Sequence, residues 1–149
     1  MAETAKRLSH STEVESFLDS LFEGQEGLVY APTKSPATGH WQEYYFSWPD
    51  QRDSIVSHIM DATRTKESYL APSLFSKPYP KKSAWKGTNY VWVEFDGNTP
   101  ANLPDGIPNP SIRIQSSSSG HEHWYWKLDK FETEQSVVEG LSKRLAYTL

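Results

Sequence analysis

Residues Tyr90 to Gly97 read "YVWVEFDG", an apolar run that closes on two acids. Runs rich in Val, Tyr, Trp and Phe favour a β-strand buried in a sheet. Side chains alternate across a strand, so Glu94 and Asp96 leave the same face, roughly 6.6 Å apart along it. At an effective dielectric of about 20, two such charges repel by roughly 2–3 kcal/mol. The pattern therefore predicts a sheet with a neutralising cation at one strand end.

Helical and extended signals alternate around this strand. Thr12 followed by Glu15 gives a capping-box signature. Val14, Phe17, Leu18, Leu21 and Phe22 follow at helical spacing up to Gly24. "LVYAP" and "GHWQEYYFSW" (Gly39 to Trp48) read as strands on either side of the turn "PTKSPATG". A second helix is expected from Pro49 and Asp50, with Ile55, Val56, Ile59 and Met60 inward, then a strand over "SYLAP" (Ser68 to Pro72). After the acidic strand come the linker "GNTPANLPDGIPNP", strand "SIRIQ", turn "SSSSG" and strand "HEHWYWKL". A last helix over Thr133 to Tyr147 would turn Val137, Val138, Leu141 and Leu145 inward. Hairpin-like connections mixed with helices predict an α+β fold rather than a doubly wound parallel sheet.

A chain of 149 residues suits one domain, able to bury roughly 70% of its unfolded surface. The expected division is an N-terminal α/β module over about 1–88 and a second module over about 89–149. With no cysteine, disulfides and thiolate metal sites are excluded, and a reducing compartment is compatible. The first residues, "MAETAKRLSHSTEVE", carry no apolar leader segment, and no run is long enough to span a bilayer. A cytoplasmic protein with no membrane partner is expected. A net charge of -4 argues against coating nucleic acid by bulk positive charge, but leaves room for a local grip.

A second constellation is "SSSSGHEHWYW". On a strand from His121, the residues His121, His123 and Tyr125 share one face, and Glu122, Trp124 and Trp126 the other. The turn at Ser118, Ser119 and Gly120 can present backbone N–H groups as an anion-binding nest. A neighbouring histidine can contact a phosphate oxygen, and Arg113 can add positive charge. Two acids on one strand and a nest with histidine on a hairpin suggest a metal–triphosphate site, with Mg²⁺ or Mn²⁺ on Glu94 and Asp96.

The order "APSLF … YVWVEFDG … PSIRIQSSSSGHEHWYWKLD" resembles the archaeo-eukaryotic primase superfamily, especially its phage and plasmid primase–polymerase branch. The likeness covers roughly Tyr69 to Leu128. "VWVEFD" is similar to that family's first motif, an acid–hydrophobic–acid strand end, and "SSGHEHWYW" to its second, a Ser/Gly turn leading to histidine. The resemblance implies that Glu94, Asp96 and His123 are catalytic. It makes His123 the nucleotide-contacting residue, with His121 as second choice. It also implies an N-terminal α/β module packed against an RRM-like, primase-type antiparallel sheet. The activity implied is primer synthesis from nucleoside triphosphates on a single-stranded DNA template, in phage or plasmid replication.

Two departures stand out. Glu94 occupies a position where Asp is usual. The family's third, acidic motif would lie beyond the last helix, and Asp105 and Asp129 are the only nearby substitutes. The chain is therefore expected to be the N-terminal part of a longer polymerase, with a further polymerase or helicase segment, or a reduced relative.

In "KPYPKKSAWK", Lys77, Lys81, Lys82 and Lys86 interleave with Tyr79 and Trp85. Cations among rings suit single-stranded nucleic acid, through phosphate neutralisation and base stacking. Because the loop leads into the acidic strand, it is expected to border the cleft. The alternatives are a solvated loop, a non-catalytic single-strand-binding module built on this loop and a Trp/Tyr-rich sheet, and a zinc enzyme on His121 and His123. The last needs a third ligand from His10, His40 or His58.

Overall fold

The computed structural model describes residues 6–115 and 121–149. Contacts divide them into one unit of Ser9–Asn89 and another of 6–8 with Tyr90–Leu149.

In the first unit, α1 (Ser11–Phe22) buries Val14, Phe17, Leu18, Leu21 and Phe22, the expected stripe. The capping box does not form: the helix begins at Ser11, one residue ahead of Thr12, and has no side-chain cap. Gly24, with φ +72°, ends the run in a left-handed conformation that L side chains avoid. α2 (Arg52–Thr65) packs on α1 with Ile55, Val56, Ile59 and Ala62. It starts later than Pro49 because the Arg52 N–H bonds back to the Pro49 carbonyl in a turn. Arg52 also grips Asp19 of α1 through two 2.7 Å bonds.

Strands β2 (Gly27–Tyr30), β5 (Tyr45–Trp48) and β7 (Ser73–Phe75) form the sheet of this unit, with β2 between the other two and antiparallel to both. The strand expected over Gly39 to Trp48 is broken. Its first part, β4 (Trp41–Gln42), joins a small sheet with β3 (Thr33–Lys34) and β6 (Glu67–Ser68), while β5 pairs with β2. Residues 69–72 of "SYLAP" are not strand. The Tyr69 and Ala71 amides bond to the Pro32 and Tyr30 carbonyls, but Pro32 and Pro72 have no N–H to continue a ladder.

β8 (Trp85–Asp96) begins five residues before the expected Tyr90, and its first residues pair with β7. Its last residues belong to the second unit. There β10 (His121–Glu132) lies between β8 and β9 (Ile112–Gln115), and β1 (Lys6–Arg7) adds a parallel edge to β9. The fold is α+β with an antiparallel, RRM-like sheet: first strand beside third, third beside second, then a helix. The segment between β8 and β9 is a loop, held by the Trp126 indole N–H on the Pro108 carbonyl at 2.9 Å. α3 (Gln135–Thr148) contacts β10, yet of its expected apolar stripe only Val138 is buried, and Val137 is 37% exposed.

Candidate acid–histidine site

Burial along the end of β8 alternates. Val91, Val93 and Phe95 are buried, while Glu94 and Asp96 are exposed. The two carboxylates thus share the outward face. Gly97, at φ +87°, turns the chain away immediately after them. Exposure weakens the case for an obligatory cation, since in bulk water the repulsion falls to roughly 0.6 kcal/mol. A partner is nonetheless present: Nδ1 of His121, at the start of β10, lies 2.5 Å from Oδ1 of Asp96.

The β9–β10 register assigns the faces of the hairpin. Trp124 sits opposite Arg113 and Glu122 opposite Gln115; His123 sits opposite Ile114 and Tyr125 opposite Ile112. Cross-strand partners project to the same face. His121 and His123 therefore share a face with each other, and Arg113 lies on the reverse one. Tyr125 is edge-on to Tyr90, and its hydroxyl is held above the ordinary tyrosine range by burial and by the Glu94 charge. Glu94, Asp96, His121 and His123 thus form the acid–histidine face, and Tyr90 and Tyr125, farther along the same side of their strands, are buried.

Arg113 does not join that face. Its guanidinium bonds Glu122 at 2.7 and 3.2 Å and lies 4.5 Å from the Trp124 ring centroid. Burial pushes the Glu122 carboxyl up, but bonds from the Trp124 indole and from Arg113 outweigh it and hold the group below its usual value. This ion pair, with side chains only 15% and 16% exposed, was not anticipated from the sequence. The antiparallel register of β9 against β10 is the signal that would have paired them. Ser118, Ser119 and Gly120 lie outside the described residues.

The Lys-rich loop belongs to the other unit and leads into the first residue of β8, Trp85. Lys77, Lys81 and Lys82 are exposed, with Lys81 6.0 Å from the Tyr79 ring centroid. Trp85 is half-buried, and Lys86 donates to the Glu26 carbonyl.

Among the described residues, no three His, Asp or Glu side chains gather as a metal cage. His58 instead meets the Ala31 carbonyl at 2.9 Å, beside the rings of Tyr44 and Phe46. The donor set of Glu94 and Asp96 is that of an open site. It fits Mg²⁺, which commonly binds one or two carboxylates and completes its shell with water and substrate phosphates. It does not fit a structural zinc, which takes four protein ligands.

No family model, curated protein or solved structure matches this chain.

Proposed function

We propose that the outward face of β8 and β10 is a nucleotide-binding site of the primase–polymerase kind, serving template-directed primer synthesis. The observation that carries this reading is the meeting of Asp96 with His121. It joins the acid–hydrophobic–acid strand end to the histidine strand, with Glu94 and His123 on the same face.

In this reading Glu94 and Asp96 hold Mg²⁺ or Mn²⁺. The cation would supply charge neutralisation on the triphosphate. His121 fixes the orientation of Asp96. His123 stands on the same strand face two residues on, placed to donate to a phosphate oxygen. The reaction class is nucleotidyl transfer: a 3′-hydroxyl oxygen bonds to the α-phosphorus, the α–β bridge breaks, pyrophosphate leaves and the hydroxyl proton passes to solvent. A cytoplasmic location belongs to the same proposal.

Titration of a fluorescent nucleoside triphosphate tests it. Binding should require Mg²⁺ or Mn²⁺, disappear in Asp96→Ala and weaken in His123→Ala. Binding that ignores both metals and both substitutions would remove the reading.

A second reading is a non-catalytic single-strand-binding module. It is favoured by Trp41 and Tyr69, which are 45% and 42% exposed with ring centroids 5.3 Å apart. Lys34 stands opposite Trp41 on the ladder. Such a module would bind single strands without metal and be indifferent to Asp96→Ala.

A further inference from the structure

The outward side of α3 carries a surface that the acid–histidine site does not use. Gly140, Lys143, Arg144, Tyr147 and Thr148 recur at spacings of three and one, so they fall on one helical face. They line an open concavity of about 670 Å³. The helix surface is open at Gly140, where a Cβ would meet nothing within 4 Å. Tyr147 is 84% exposed, the largest exposure of any large apolar side chain described. Among the described residues, neither Lys143 nor Arg144 takes part in an ion pair. The five lining residues include no acid, in a chain whose net charge is -4.

We infer that this face of α3 is a docking surface for single-stranded nucleic acid. Two cations uncompensated by ion pairs and one turn apart from an outward ring match a phosphate backbone with a splayed base. The open surface at Gly140 lets the strand approach the helix backbone. Charge complementarity selects a polyanion, and the ring selects one that carries bases. The inference shares with the proposed function the premise of a nucleic-acid substrate. It does not require the acid–histidine face to bind nucleotide.

The test is fluorescence anisotropy of a labelled oligo-dT across a salt series, with circular dichroism confirming the fold of each variant. The unmodified chain should bind. The Lys143→Ala/Arg144→Ala double variant should bind more weakly, with the slope of log affinity against log salt reduced by about 1.4, or roughly 0.7 for each lost phosphate contact. Tyr147→Ala should lose about fivefold or more through the missing stack. Unchanged affinities would overturn the inference. So would a surface on which heparin competes as well as oligo-dT and Tyr147→Ala has no effect, because that is a general polyanion site. A dimer that Tyr147→Ala converts to monomer would assign the face to a second copy of the chain and overturn it as well. Triphosphate binding measured on the same variants separates the two readings. It should survive the α3 substitutions and fail in Asp96→Ala, so either reading can fall alone.

Discussion

Nδ1 of the His121 imidazole lies 2.5 Å from Oδ1 of Asp96, linking the last residue of β8 to the first of β10. An ionised carboxylate only accepts, so Nδ1 carries the proton of this contact. The side chains are 42% and 92% exposed, and exposed pairs of this kind contribute at most about 1 kcal/mol. The pair therefore does little for stability. We predict that Asp96→Asn and His121→Ala each change unfolding free energy by no more than about 1 kcal/mol. Both should weaken metal-dependent triphosphate binding at least tenfold. Chemical denaturation and nucleotide titration on the same samples check the split; a large stability loss with unchanged binding would make the pair structural.

The Arg113–Glu122 pair should behave in the opposite way. Glu122 is mostly buried and accepts from both Arg113 and Trp124, so Glu122→Gln should destabilise by about 1–3 kcal/mol with triphosphate binding intact. The pH dependence follows from its depressed pKa. Its stabilisation is complete above the ordinary value of 4.5 and is lost as pH falls through the folded-state value. Acid unfolding followed by tryptophan fluorescence should therefore be shallower below pH 4.5 in Glu122→Gln than in the unmodified chain.

Tyr45 offers a stabilising substitution. Its hydroxyl is buried without a hydrogen-bond partner among the described residues, and burial pushes its pKa up to about 12. An unpartnered hydroxyl costs free energy, so Tyr45→Phe should raise stability by about 1 kcal/mol. A raised pKa favours the neutral phenol in the folded state. The associated stabilisation holds below pH 10 and falls away as pH rises toward 12. Tyr45→Phe should remove part of that alkaline sensitivity in a thermal melt series.

Leu18 of α1 is fully buried. Leu18→Ala should cost about 2–5 kcal/mol through lost transfer energy and a residual cavity. Urea unfolding should show it as a lower midpoint with an unchanged slope. A loss under 1 kcal/mol would mean that α1 is not packed as described.

Periodicity carried the helices and the acidic strand well, because each of those elements reports its buried face through its own spacing. The stripe from Val14 to Phe22 and the alternation from Val91 to Asp96 needed no knowledge of partners. Prediction failed where the outcome depended on a neighbour. Residues 39–48 split because their two halves ladder with different strands. "SYLAP" stayed outside a strand because prolines on both sides of the pairing lack N–H groups. The α3 stripe remained largely uncovered because only the tertiary arrangement decides how much of β10 faces it.

The sequence by itself determined that Glu94 and Asp96 leave one face of a strand, and that His121 and His123 share a face of another. Both follow from the two-residue repeat of extended backbone, a local property. Only the tertiary structure decided that Asp96 meets His121 and that Arg113 is spent on Glu122 across the reverse face. Strand order and hairpin register arise from long-range pairing, and a shift of one residue would have exchanged the two faces.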